Sequence, residues 1–409
     1  MKRGAMVALG ILAVLGGLGI GMLAAHAAGS SPSAAPGSDG IAVLSPAPTS
    51  APAGSSSPTP ASGGSPSAGP SLTPAPSTTP TPRPSPSLVA APLTGRLVSA
   101  AAAQRHPLAV MIDDQFDARP QAGFNAASIV WQAPAEGGIP RYMMIFQENV
   151  PKDLGPVRSS RYYFIAWASE LKAVYAHAGG SPQALATLRA KGQGQLVWNA
   201  DEFRWGNSFH RVGLPRFAPH NLFTSGANLR AIAKSVGARD GPISWPWTFA
   251  PGAGFGSRPV GGRIVVNYQA NTIRYDYDRA SNTYLRSVTG SKKEIDAADG
   301  TRVAPTNVIV MKVAFGPLND GHPNKKRLEA NIISTGPAWI STNGITIKGT
   351  WRKTSTTAPT RFFDGAGNPV VLTVGQTFVQ VMKTTDTIVF TPGKAAVSAS
   401  PFPGGVRRE

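Results

Sequence analysis

The sequence predicts an α/β or α+β domain with a mixed sheet, followed by a mainly antiparallel β domain. Both stand behind an N-terminal membrane span and a disordered Pro/Ser-rich stalk. Three observations predict this. An uncharged run, "AMVALGILAVLGGLGIGMLAA" (residues 5–25), follows the positive "MKRG". A stretch built almost wholly of Ser, Pro, Ala, Gly and Thr comes next. Beyond it, helix-period and strand-period text mix as far as residue 245, and period-two text takes over after residue 262.

Residues 1–28 read as a signal peptide or a signal anchor. The apolar run is long enough to cross a bilayer, and Lys2 and Arg3 hold its start on the inner side. "AHA" (25–27) fits a small-x-small cleavage site. The remainder is therefore expected outside the cytoplasm. It is anchored to the cell membrane by the span, or secreted if the chain is cut after Ala27. Residues 29–88, typified by "PSLTPAPSTTPTPRPSPS", cannot bury enough apolar surface to offset their ordering entropy. Their prolines favour polyproline II, at about 3.1 Å per residue. This is a stalk that lifts a domain from the membrane into the wall.

Residues 89–245 form the mixed α/β domain. "PLAVMIDD" (107–114), "ASIVWQAP" (127–134) and "RYMMIFQE" (141–148) predict strands on β-branched and aromatic content. "SSRYYFIAWASEL" (159–171) predicts a helix capped by Ser159 or Ser160. "KAVYAHA" (172–178) is a buried strand, and "PQALATLRAKG" (182–192) is a helix closed by Gly192. Loop-rich aromatic text fills 196–224, and "SGANLRAIAKSVGA" (225–238) is a last helix ended by Gly237. Residues 246–262 are a Pro/Gly-rich connection. Residues 263–392 are short strands with hairpin signals such as "STNG" (341–344) and "DGAGN" (364–368). Residues 393–409 are a tail.

The chain has no cysteine, which excludes disulfides, thiolate metal sites and a lipidated cysteine. Its formal charge is +18. Before residue 89 only Lys2, Arg3, Arg83 and Asp39 are charged, so the excess belongs to the folded part. Such a field favours polyanions. For an exported chain these are wall polymers and lipid head groups rather than nucleic acid. No cofactor or metal is expected: HExxH is absent, no paired-carboxylate spacing occurs and the histidines are scattered.

Several phrases together resemble the YerB-like family of bacterial envelope proteins, a two-domain family of unknown function. They are "PLAVMIDD", "ARPQAGFNAASIVWQAPAEGGIPRYMMIFQ", "GPVRSSRYYF", "YAHAGGSPQAL", "RVGLPRFAPHNLFT", "GITIKGTWRK" and "GQTFVQV". They lie within residues 107–224 and 260–390, in that order. The resemblance implies the pair of domains and the envelope location, and brings no catalytic assignment. Such proteins are often lipoproteins. This chain departs from them in lacking a cysteine for the lipid, so its anchor would be the span itself.

Polar residues that interrupt the apolar pattern gather at element ends: Asp113, Asp114, Arg119, Glu136, Arg141, Arg158, Arg161, His177, Ser181, Asp201, His210, Arg211, His220 and Asn221. Such ends are where sites are usually built. In "GPVRSSR", Arg158 and Arg161 sit at the start of a helix, where a cation is unfavourable. Either a carboxylate (Asp113, Asp114 or Glu136) or a bound anion should offset them. In "HAGGSPQAL", Ser181 followed by Pro182 fits N-cap and first helical position. Gly179 and Gly180 permit a sharp turn and close approach, and free N–H groups there would seat an anion. A plain helix cap explains Ser-Pro equally well. As a nucleophile Ser181 would need a base such as His177, His210 or His220, with Asp201 as orienter. Gln183 stands where a GxSxG elbow needs glycine, and Pro182 removes an oxyanion-hole N–H. The expected ligand is therefore a wall glycan or anionic polymer, bound by Arg158, Arg161, His177, Gly179, Gly180, Ser181, Asp113, Glu136, Asp201, His220 and Asn221. An enzyme acting on such polymers by phosphoryl or glycosyl transfer or hydrolysis is one alternative, and a structural or assembly partner without a small ligand is another. Aromatics near these charges (Trp131, Tyr162, Tyr163, Trp198, Phe203, Trp205 and Phe209) suit sugar rings, although apolar periodicity assigns most of them to the core.

Overall fold

The structure, a computed structural model, describes residues 87–395 apart from 290–291. The apolar run at 5–25, nearly all of the stalk and most of the tail lie outside the described residues. Among the described residues no helix is long and apolar enough to cross a membrane.

Fifteen strands of two large sheets and three helices carry the description, numbered here in chain order. In the first region β1 is Leu108–Asp113, β2 Ile129–Pro134, β3 Pro140–Phe146, β4 Val174–His177 and β5 Trp198–Asp201. Helices α1 (Tyr162–Ser169), α2 (Pro182–Leu188) and α3 (Gly226–Val236) accompany them. In the second region β6 is Arg263–Asn267, β7 Thr272–Asp278, β8 Thr283–Val288 and β9 Lys292–Lys293. They continue with β10 (Asn307–Val313), β11 (Thr335–Thr342) and β12 (Ile345–Arg352). The last are β13 (Arg361–Asp364), β14 (Thr377–Lys383) and β15 (Thr387–Thr391).

The two regions have the expected character, and they share one sheet. Its order is β13-β12-β11-β10-β14-β2-β3-β1-β4-β5, ten strands in all. The seam is β14 against β2, a parallel pairing with Thr377 opposite Ile129. A second sheet of five strands runs β9-β8-β7-β6-β15 and is wholly antiparallel.

Alternation along each strand divides the core into two layers. Ala109 and Met111 face one side with Trp131, Met143 and helix α1, while Val110 and Ile112 face the other with Tyr142 and Met144. On the first side Trp131 stacks on Trp167 with ring centres 4.7 Å apart, a geometry worth about 0.5–1.5 kcal/mol beyond its buried area. On the second side the five-stranded sheet and helix α3 close the core. With both faces covered, the central strands read as unbroken apolar runs.

Some local expectations change. Helix α1 begins at Tyr162, and its N-cap is Arg161, without a side-chain cap. Ser160 is used otherwise: its backbone pairs with Gly180 and its hydroxyl meets the Tyr175 hydroxyl at 2.8 Å. Helix α2 stops at Leu188. Helix α3 ends as expected, with Gly237 left-handed at φ 84°. The connection 246–262 contains a strand, Thr248–Ala250, paired in parallel with Val371–Thr373. The strand Leu88–Ala90 begins at the residue that closes the assigned stalk.

The shared sheet carries a prediction. Expressed alone, residues 89–245 would leave the β2 edge unpaired and the α1-side core uncovered. Their urea transition is expected at lower denaturant than that of residues 89–395, and the complementary piece 258–395 should raise it on mixing. Equal midpoints for 89–245 and 89–395 would show that the seam contributes nothing.

Candidate functional site

Strands β1, β4 and β5 are parallel, and their carboxyl ends lie side by side. Segment 154–161, which contains "GPVRSSR", threads across those ends. The Asp113 N–H donates to the Pro156 carbonyl and the Arg158 N–H to that of Met111, both at 2.9 Å. Farther on, the Ser160 N–H donates to the Gly179 carbonyl at 2.9 Å, and that of Ser181 to Ser160 at 3.2 Å. This backbone zipper, not a helix turn, places the two arginines.

Asp113 is the centre of the cluster and is fully buried. Its carboxylate meets Arg141 Nη1 at 3.2 Å, Arg158 Nε at 3.1 Å and His220 Nδ1 at 2.7 Å. Arg141 stands directly opposite Asp113 in the β1–β3 register. His220 arrives from the hairpin formed by Phe209–Arg211 and Leu222–Thr224. Burial would raise the Asp113 carboxyl. The guanidinium groups of Arg141 and Arg158, with hydrogen bonds from His220 and the Gln115 N–H, outweigh it and hold the group below its usual range.

Beside it lies a second carboxylate. Glu136, on the turn between β2 and β3, receives Arg161 Nη2 at 2.5 Å and has Arg327 Nε 3.8 Å away. Burial pushes Glu136 up, but the Arg161 charge and hydrogen bond pull it below the usual value. Arg327 also pairs with Asp320 at 2.5 Å. The cluster therefore gathers four guanidinium groups, Arg141, Arg158, Arg161 and Arg327, around three carboxylates.

Of the expected site residues, Asp113, Glu136, Arg158, Arg161 and His220 come together. The others are held elsewhere in the same strand-end region. Ser181 caps α2, its hydroxyl accepting from the Ala184 N–H at 3.3 Å. Gly179 adopts φ +68°, the turn its lack of a side chain allows. Gly180 packs so closely that an added Cβ would lie 3.2 Å from Leu185. His177 is buried, with one ring nitrogen at the Gly179 carbonyl and the other at Asn199 Oδ1, both 2.8 Å. Asp201 closes its own turn onto the Phe203 N–H. Asn221 braces its hairpin, accepting from Arg211 and donating to the Val212 carbonyl. Asp114 leaves Asp113 and serves Arg119, Gln132 and Asn271. The serine-nucleophile arrangement is thus not assembled, because Ser181 and both nitrogens of His177 are already engaged.

Arg327 ends the basic, turn-like stretch "DGHPNKKR" (320–327), whose composition suits a solvated loop. Its partner Glu136 lies in the other region, so no local pattern marks it. Arg141 did carry a signal, a charge at the start of an otherwise apolar strand.

Elsewhere a groove of ≈ 940 Å³ opens between the two sheets, with Trp339, Phe390, Tyr277 and Tyr284 on its walls. Lys312 at its edge is tied to the carbonyls of Lys383, Thr384 and Asp386.

Comparison with known proteins agrees with this architecture. The family model described as "Protein of unknown function (DUF3048) N-terminal domain" matches residues 93–239, and its C-terminal counterpart matches residues 264–379. YerB of Bacillus subtilis (strain 168), provisionally named a lipoprotein, is 29% identical over 312 residues, 74% of this chain and 89% of that protein. The crystal structure of B. subtilis YerB superimposes with a TM-score of 0.65 at 25% identity, covering 74% of this chain and 99% of that one.

Proposed function

The chain belongs to the DUF3048 family of two-domain proteins of unknown function, and from that footing we propose that it is an extracytoplasmic, membrane-tethered binding protein of the cell envelope that recognises an anionic wall polymer or glycan. The lipoprotein name of its relative supports the envelope location. With no cysteine to carry a lipid, the apolar run 5–25 serves as the tether.

One observation carries the ligand reading. Arg158 lies at ion-pair distance from Asp113, yet its guanidinium donates no hydrogen bond to any described residue, and its side chain is 23% exposed. A guanidinium is a fork built for two parallel bonds to phosphate or carboxylate. Here the fork is held at a strand-end surface, in a cluster where cations outnumber anions. Arg161 and Arg141 are committed to protein acceptors and supply field and bracing.

Arg158→Gln is the test, with the sugar-free phosphodiester poly(glycerol phosphate) as probe. Titration calorimetry should show affinity lowered by about tenfold and a shallower salt dependence, since one screened charge contact is lost. The thermal transition should stay near that of the parent. A folded Arg158→Gln chain that binds the polymer as tightly as the parent ends this reading.

A second reading has its own observation. His220 gives Nδ1 to a buried carboxylate, and Nε2 has no protein partner among the described residues. General-base histidines are oriented in this way. The expected orienter Asp201 is replaced by Asp113. Turnover of the same polymer, abolished by His220→Gln, would favour an enzyme.

A further inference from the structure

We infer that a pocket beside edge strand β5 is a second binding site, one for a sugar chain bearing carboxylate or phosphate groups. Strand β5 ends the ten-stranded sheet. The pocket has a volume of ≈ 610 Å³ and lies between the chain after α2, strand β5 with the turn that follows it, and the end of α3. Its walls hold two tryptophans, Trp198 and Trp205, and three cations, Arg189, Lys191 and Arg204. No carboxylate lines it. Among the described residues none of the three cations pairs with an acidic side chain, although fourteen ion pairs are formed elsewhere.

Each feature selects for part of the ligand. Tryptophan rings offer broad apolar faces to the C–H side of a sugar ring. Arg204 stands 5.5 Å from the Trp205 ring centre, and Lys172, a fourth cation outside the lining, 5.9 Å from that of Trp198. The uncompensated charge calls for an anion. Gln195, Asn199 and Ser235 add uncharged donors and acceptors suited to hydroxyls. No residue lining this pocket belongs to the arginine cluster.

The probe is an oligogalacturonate, a chain of carboxylated sugar rings, titrated into the full-length protein in mild detergent with calorimetric and tryptophan-fluorescence readout. The exposed triple variant Arg189→Gln/Lys191→Gln/Arg204→Gln is expected to lower affinity by about tenfold or more while the fold is kept. Trp205→Leu should lower it by about as much at unchanged charge. Maltohexaose, which has the rings without the charge, should bind at least about tenfold more weakly. The inference is overturned by any of three results. These are no oligogalacturonate binding to the parent, parent-like affinity in the folded triple variant, or tighter binding of oligothymidylate than of the sugar chain. If inorganic polyphosphate is lost with the charges and Trp205→Leu changes nothing, the pocket is only a cationic surface and the glycan assignment falls.

Discussion

Replacing Arg286 with methionine is expected to lower the stability of the folded unit by about 3–5 kcal/mol, the usual cost of stranding a buried charge. Arg286 is completely buried and is not among the expected site residues. It donates to Gln132 Oε1 at 2.7 Å, to the Tyr142 hydroxyl at 3.1 Å and to the Tyr275 hydroxyl at 2.9 Å, and it pairs with Glu294. Gln132 and Tyr142 belong to the ten-stranded sheet, and Tyr275 to the five-stranded one. The rings of Phe124, Tyr142, Tyr275 and Phe378 surround its guanidinium with centres 5.4–5.8 Å away. One cation thus joins the two sheets and both sequence regions. Methionine fills much of the volume but leaves Glu294 buried and unpaired. Urea unfolding of Arg286→Met and of Arg286→Met/Glu294→Gln separates the causes. If the stranded carboxylate dominates, the double variant recovers a large part of the loss. A single variant as stable as the parent would mean that the ion pair is not formed.

What the sequence revealed of this fold is what local chemistry decides. Strands β1 and β3 were visible because they are covered on both faces and hold unbroken apolar residues. The β11–β12 turn was visible because Asn343 and Gly344 take positive φ, at 51° and 76°, which few other residues accept. Ser181 before Pro182 correctly marked the start of α2. Pairing was not visible. Periodicity tells which side of a strand is buried and not which strand lies beside it, so nothing in residues 129–134 and 377–383 marks β2 and β14 as neighbours. The site shows the same division. Asp113, Arg158 and His220 each stood out as polar residues at element ends. That His220 reaches Asp113 across 107 positions, and not the nearer Asp201, follows from the hairpin and segment 154–161, which only tertiary packing sets.

Removing the carboxylate at the centre of the site should have the other large effect. Asp113→Ala is expected to cost about 3–5 kcal/mol at pH 7, because the buried Arg141 and the partly buried Arg158 lose their counter-charge together. The pH dependence follows from the lowered carboxyl. An acid whose folded pKa lies below its unfolded value stabilises the folded state when ionised. That contribution is complete above the ordinary carboxylate range, near about pH 4, and is lost as pH falls through the lower folded value. Glu136 is lowered in the same direction and adds to the acid limb. The gap between parent and Asp113→Ala should therefore be widest near neutrality and narrow below about pH 4, where the unfolded parent's carboxyl takes up its proton before the folded one does. Arg158→Gln leaves Asp113 with Arg141 and His220, so its loss should be well under half of the Asp113→Ala loss. Chemical denaturation at pH 7, 5 and 3 measures all three chains. A gap that stays constant down to pH 3 would show that Asp113 acts through its shape and hydrogen bonds rather than its charge. Equal losses for Arg158→Gln and Asp113→Ala would make Arg158 a structural brace, and the polymer would then have to bind elsewhere.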